Sequence, residues 1–296
     1  MSNQSGGWLG KLGNLLVPAS QQPPAQAASV TNKRILDELV AANPAPGSDE
    51  ARIAAAYKAF MDQDAINAAG LAPAKPYLDR IYSARSHADL AALFAAPGLA
   101  SPIGAFVDAD AKQSDIYTLY IVQTGLGMPD RDYYLSGDED HRAKREKYRT
   151  YLTFLMGKLG YADPKAAADA VYSLELRMAQ EMWDNAVERD RDLTYNKLEP
   201  ADLGAIDPHG LLRGVLSGLG VSAQQAAIVA QFPPTPEELA TAEISSAEAA
   251  AKIGGGVPAT IRLIEDVPLA TWQAYLAAHF LSDHADVLPG DIYDAT

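Results

Sequence analysis

Five histidines are the first place to look for chemistry in this chain: His87, His141, His209, His279 and His284. A helix that grips zinc for peptide hydrolysis carries HExxH, two imidazoles one turn apart with a Glu beside them to deprotonate water. No such pattern occurs. His279 and His284 stand five residues apart, which on a helix is about 140° away from a shared face. They are read as structural or surface residues. The chain has no cysteine, so disulfides, thiolate nucleophiles and thiolate metal sites are excluded.

Other chemical groupings are equally local. Asp138 to His141 forms an acidic patch that could attract a cation, or simply begin a solvated helix. Glu188-Arg189-Asp190-Arg191-Asp192 alternates in sign. Its carboxylates could pair for acid–base work, but such runs usually form salt-bridge networks on a solvated surface. Gly254-Gly255-Gly256 lacks the rest of a nucleotide fingerprint and reads as a turn, and neither G-x-S-x-G nor GK[ST] is present. Catalytic, cofactor-binding and metal-ligating residues are therefore all expected to be none in this chain.

The elements that would position such groups are mostly helices. Ile35, Leu36, Leu39 and Val40 form one stripe, and Ser48 caps a second helix with Ile53, Tyr57, Phe60 and Met61 on its inner face. Tyr77, Leu78, Ile81 and Tyr82 follow. Ser86 can cap a further helix carrying Leu90, Leu93 and Phe94. The period then changes. Ile103, Ala105 and Val107 alternate, a polar turn runs from Asp108 to Asp115, and Tyr117, Leu119 and Ile121 alternate again, as in an antiparallel hairpin. The hairpin leads into Gly125-Leu-Gly-Met-Pro-Asp-Arg-Asp-Tyr-Tyr-Leu135, a rigid corner in which Pro129 fixes one φ and the glycines permit unusual backbone.

Helical stripes resume with Tyr148, Leu152, Leu155 and Leu159. After the Asp163-Pro164 cap come Val171, Leu174, Met178 and Met182. Asp207-Pro208 starts a helix through Leu211, Leu212, Val215 and Leu216. Ser222 with Gln225, and Thr235 with Glu238, have the spacing of capping boxes. Pro268 opens a last helix with Leu269, Trp272, Leu276 and Phe280. The fold class expected is mainly α, a multi-helix lobe with one small antiparallel β-hairpin.

With 296 residues, 48% of them hydrophobic, the chain can bury a large core. A net charge of −14 argues against nucleic acid or an anionic membrane as partner. No apolar run approaches the roughly 20 residues that span a bilayer. Residues 1–28 are rich in Ser, Gln, Gly, Pro and Ala, with Trp8, Leu9, Leu12, Leu15 and Leu16 at helical spacing. The polar start and Lys11 argue against a signal peptide, although Ala25-Gln26-Ala27 has the pattern of a cleavage site. The expected organisation is a flexible tail over 1–28 and one helical lobe over 29–296.

Gln123-x-Gly125-Leu126-Gly127-Met128-Pro129-Asp130-Arg131-Asp132-Tyr133-Tyr134-Leu135 resembles a signature of the neprilysin / endothelin-converting-enzyme family of zinc metallopeptidases. Trp183, the Glu188–Asp192 run, Tyr195-Asn196 and Pro268-Leu-Ala-Thr-Trp272-x-x-Tyr275-Leu276 agree with it, in family order. The resemblance implies two mainly helical lobes around a cavity. The second half of such a chain carries HExxH, a third zinc ligand and the substrate clamps, and the first half builds the lid lobe. This sequence resembles that first half, with an unrelated tail in place of the family's entry segment.

The resemblance thus implies a non-catalytic lobe that hydrolyses peptides with a partner chain supplying the HExxH zinc half, the zinc lying in that partner. The alternatives it leaves are a catalytically dead peptide-binding or regulatory module and a truncated remnant. A soluble chain is expected. The polar start favours the cytoplasm, and the resemblance allows the periplasm.

Overall fold

The computed structural model describes residues 24–242 and 244–296. The described chain divides into two compact units, 74–284 and a smaller one made of the residues up to 73 with 285–296. The tail proposed for 1–28 lies mostly outside the described residues, as do Trp8, Leu9, Leu12, Leu15 and Leu16; helical backbone is in place from Pro24.

In the smaller unit, α1 (Pro24–Ala41) and α2 (Asp49–Met61) lie side by side, and α3 (Gln63–Ala69) meets α15 (Gly290–Ala295). Ser48 caps α2 by accepting the Ala51 N–H, as its position predicts. The expected inner face of α2 is not covered. Ile53, Phe60 and Met61 are 49%, 44% and 39% exposed, and Ala54 is the buried residue. An apolar stripe shows which side of a helix is one-sided, not what lies against it.

The larger unit runs through α4 (Lys75–Ser83), α5 (His87–Phe94), β1 (Ile103–Asp110), β2 (Gln113–Gln123), α6 (Asp132–Leu135), α7 (Glu139–Lys158) and α8 (Pro164–Glu181). It continues with β3 (Lys197–Leu198), α9 (Pro200–Ile206), α10 (Leu211–Gly218) and β4 (Ala227–Val229). Then follow α11 (Pro236–Thr241), α12 (Ser246–Lys252), α13 (Gly256–Asp266) and α14 (Leu269–Asp283). The fold is mainly α, as expected. The core is where α7 and α8 pack together and α14 packs on both. Leu152, Leu155 and Met156 meet Val171, Leu174 and Met178, with Trp272, Tyr275 and Leu276, and all are nearly or fully buried. The stripe assigned to each of these helices is therefore the face that removes apolar area from water.

The hairpin is part of something larger. The sheet has four strands in the order β1-β2-β4-β3. β1 and β2 are antiparallel, with Ile103 opposite Gln123, and a register shift at Ala109/Asp110 lets the strands run much closer to the tip than the polar stretch suggests. β4 lies parallel to β2, and β3 antiparallel to β4. Ser222 and Gln225 form a turn, not a capping box: the Ser222 carbonyl accepts the Gln225 N–H, and a strand follows. Ala227, Ile228 and Val229 are wholly buried. A three-residue apolar run offers no period to separate strand from helix. Thr235 and Glu238 do form their capping box. No described helix is long and apolar enough to cross a membrane.

Candidate functional site

The corner between β2 and α6 collects more side-chain hydrogen bonds from distant segments than any stretch flagged in the sequence. Gly125 has φ +89°, a conformation other residues resist, and a Cβ there would lie 2.5 Å from both the Ser101 carbonyl oxygen and the Tyr275 hydroxyl. The Tyr275 hydroxyl donates to the Gly125 carbonyl at 2.6 Å. At Gly127 a Cβ would fall on the Tyr148 hydroxyl. The Met128 N–H donates to the Tyr134 hydroxyl at 3.0 Å. Three tyrosines from α6, α7 and α14 thus grip one short loop.

Behind them sits Glu175 of α8, without exposed surface. Tyr134 donates to its Oε2 at 2.7 Å and Tyr148 to its Oε1 at 2.9 Å. Nε2 of His279, 7% exposed, lies 2.7 Å from Oε1. With the carboxylate ionised, Nε2 is the donor. Burial, and then the Glu175 charge, push the Tyr134 and Tyr148 hydroxyls far above the ordinary phenol range. Burial does the same to Tyr275, whose ring packs 4.2 Å from that of His279. A buried carboxylate is tolerated only when its lone pairs are met, and here three donors meet them. The adjoining cavity is only about 60 Å³. The cluster has the residue types of an acid–base site, but its hydrogen bonds are spent on positioning the corner.

His279 was read as structural or surface; it is buried, with Nε2 at 2.7 Å from Glu175 Oε1. Glu175 was missed. Its signal was a charged residue one position after Leu174 in an otherwise apolar helix stripe, with His279 of α14 among the groups that meet it.

Arg131, the last residue before α6, clamps two further segments. Nη1 donates to the carbonyls of Met182 at 2.8 Å and Lys252 at 2.9 Å, and Nη2 to that of Ala251 at 3.1 Å. Gln123, at the end of β2, donates from Nε2 to the Glu181 carbonyl and the Thr260 hydroxyl, and its N–H donates to Gln231. Trp183 donates to the Gly254 carbonyl at 3.2 Å. Asn196 bonds Val229 through backbone and side chain, and the Tyr195 hydroxyl donates to Asp110 at 2.9 Å.

The Glu188–Asp192 run is not an internal network of paired charges. Glu188 accepts from Gln231 at 2.9 Å, and burial pushes its carboxyl up. Asp190 accepts the N–H groups of Asp192 and Leu193, and Asp192 reaches Lys112 at 3.5 Å. Gly254-Gly255-Gly256 is not a turn: Gly254 and Gly255 are irregular, Gly254 is pressed against the Glu181 carbonyl, and Gly256 begins α13.

The chain from 25 to 296 matches the N-terminal model of Peptidase family M13. This chain belongs to Peptidase family M13. It is 26% identical over 190 residues to human endothelin-converting enzyme 1, a stretch covering 60% of this chain and 24% of that protein. It is 32% identical over 123 residues to mouse endothelin-converting enzyme-like 1, covering 40% and 16%. Among solved structures, zinc metalloprotease ZMP1 of Mycobacterium tuberculosis, in complex with an inhibitor, superposes with a TM-score of 0.73 at 26% identity, over 90% of this chain and 38% of that one. PepO of Lactobacillus rhamnosis shares the fold, with a TM-score of 0.64 at 14% identity, over 95% and 42%. The M13 chain described here thus spans about a quarter or less of these curated relatives and less than half of these solved chains.

The zinc of M13 peptidases finds no fitting ligand set among the described residues. Asp138, Asp140 and His141 are the one group of three whose ligand atoms converge, within 4.8 Å, and the two aspartates are exposed. Asp138 is already occupied as the cap of α7. It accepts the His141 N–H at 2.9 Å, His141 Nδ1 at 2.6 Å, and the Ser136 hydroxyl. These bonds hold its carboxyl well below the usual range. A carboxylate-rich, solvated helix start is not the imidazole-bearing site that catalytic zinc takes. His87 Nε2 lies 3.1 Å from the Val267 carbonyl, and His284 Nδ1 lies 2.9 Å from that of Phe280. His209, largely exposed, is 4.0 Å from Glu265.

Proposed function

We infer that this chain is the non-catalytic lobe of a neprilysin-like zinc metallopeptidase. Peptide hydrolysis then requires an HExxH-bearing zinc half, the partner chain expected from the sequence. The observation that carries this reading is the family match along residues 25–296; the Gly125–Leu135 corner within it is locked from three helices, while the described side chains offer zinc no fitting site. ZMP1, which superposes with a TM-score of 0.73, is a zinc metalloprotease. The lobe's work is to wall the cavity in which the other half does the chemistry, so its contribution is binding and exclusion of water, not proton transfer.

The test is complementation. The chain is mixed with a separately expressed HExxH half of an M13 peptidase, and cleavage of a short quenched fluorescent peptide is followed. Expected is at least a tenfold rise over either component alone. Equal activity of the zinc half without this chain, or peptide turnover with bound zinc by this chain alone, would overturn the reading.

A further inference from the structure

One face of α2 stands open. Ile53, Phe60 and Met61 are exposed, and Tyr57 between them is half-buried. They occupy positions i, i+4, i+7 and i+8, an apolar stripe about 12 Å long. An apolar face of this kind costs free energy for as long as it meets water, and on a folded chain it marks a surface that something covers. The chain carries a second stripe with the same spacing. Trp8, Leu12, Leu15 and Leu16 also stand at i, i+4, i+7 and i+8. On a helix they share an arc of about 120° with Leu9. Pro18 bounds that stretch, because a residue before proline avoids helical backbone. Gly10 and Gly13 make a helix there costly in water, so a surface that buries the leucines is what would wind it.

Reach and charge both favour this occupant. Helical backbone begins at Pro24, and Asp37 lies about 20 Å further along α1. Tyr57, in the middle of the open stripe, donates to Asp37 at 3.3 Å. The stretch from Leu16 to Pro24, extended, spans up to about 27 Å, enough to bring residues 8–16 back over α2. A second copy of the chain would bring another net charge of −14 to the same face, whereas residues 1–23 contain Lys11 and no acidic residue. We propose that residues 8–16 dock as an amphipathic helix on the open face of α2, with Trp8 and the leucines covering Ile53, Phe60 and Met61. The α1–α2 pair then gains its third helix from the chain's own N-terminal segment.

The chain has no cysteine, so Asn14→Cys gives a single site for a nitroxide spin label. Asn14 falls on the side of the helical pattern away from the leucines, so the label does not replace a docking residue. The experiment is nuclear magnetic resonance on the nitrogen-labelled full chain, measuring paramagnetic broadening of the amides from Ile53 to Met61. A tethered but undocked segment also broadens its surroundings, so the comparison is with the same labelled chain carrying Leu12→Asp and Leu15→Asp. Expected is broadening of the Ile53–Met61 amides at least fivefold greater with the leucines than with the aspartates. The amides of α7 and α8 should keep their positions in both chains. Phe60→Asp, changed on the other side of the contact, should lower the broadening by the same factor. Equal broadening with leucines and aspartates overturns the proposal. So does equal broadening when the label and the nitrogen-15 are on different chains, which assigns the face to a second copy. Protection of the Ile53–Met61 amides that arises only when an HExxH half is added assigns the face to that half, and overturns it as well.

Discussion

At Gly127 the Tyr148 hydroxyl occupies the place where a side chain would begin. That one contact makes the loop and the α8 carboxylate depend on each other, because the same hydroxyl donates to Glu175. Gly127→Ala should destabilise the chain by about 1–3 kcal/mol, the usual range for overpacking. Tyr148→Phe removes one of three donors to a buried carboxylate and should cost about 1.5–3 kcal/mol. The two should not add, since deleting the hydroxyl removes the worst of the clash, though the ring carbon at 2.6 Å remains. Urea denaturation of both single variants and the double variant measures this. Strict additivity would show that the loop and the carboxylate are not coupled through Tyr148.

At the scale of elements, short strands are held by a side chain as much as by their ladder. Asp110, without exposed surface, sits at the register shift of the hairpin. Its Oδ1 accepts the N–H groups of Lys112 and Gln113, and β3 reaches it through Lys197 at 3.1 Å beside Tyr195. Burial acts to raise its pKa, but the Lys112 N–H, Lys197 and Tyr195 outweigh that and hold it below the ordinary carboxylate value. A depressed folded-state pKa means the stabilisation is present above the unfolded value of 3.8 and is lost as pH falls through the lower folded one. Asp110→Asn places an amide donor against Lys197 or Tyr195. Amide exchange around Tyr117 and at Lys197–Leu198 should quicken at least tenfold, while the amides of α7 and α8 keep their protection. Uniform acceleration across both regions would instead mean global destabilisation.

At the scale of the whole molecule, the buried tyrosines set the alkaline limit. Burial raises Tyr134, Tyr148 and Tyr275 in the folded chain, whereas in the unfolded chain they ionise near the ordinary phenol value of 10.0. A raised folded-state pKa gives stability that is complete below the unfolded value and lost as pH rises beyond it. Each such tyrosine should remove about 1.4 kcal/mol of stability per pH unit above roughly pH 10. Urea unfolding at about pH 9 and about pH 11, with tyrosinate absorbance followed alongside, checks this against the unperturbed range. The Tyr148→Phe chain should lose stability with a shallower slope, and an identical slope would mean Tyr148 titrates alike in both states.

Helix periods, caps and the corner were legible in the residues themselves, because each is a local rule. Ser48, Ser86, Asp163 and Thr235 cap where their positions predict, and the stripe of Val171, Leu174 and Met178 is buried. The family signature was legible for the same reason, being a contiguous string. Tertiary structure alone decided the rest. It brought Glu175 from α8 to Tyr134, Tyr148 and His279, made Ala227–Val229 a strand by laying it beside β2, and left Ile53, Phe60 and Met61 exposed. The reason is physical: a period of 3.6 or 2 specifies which way a side chain faces, whereas the partner that meets it comes from another part of the chain and is set only when the whole core packs.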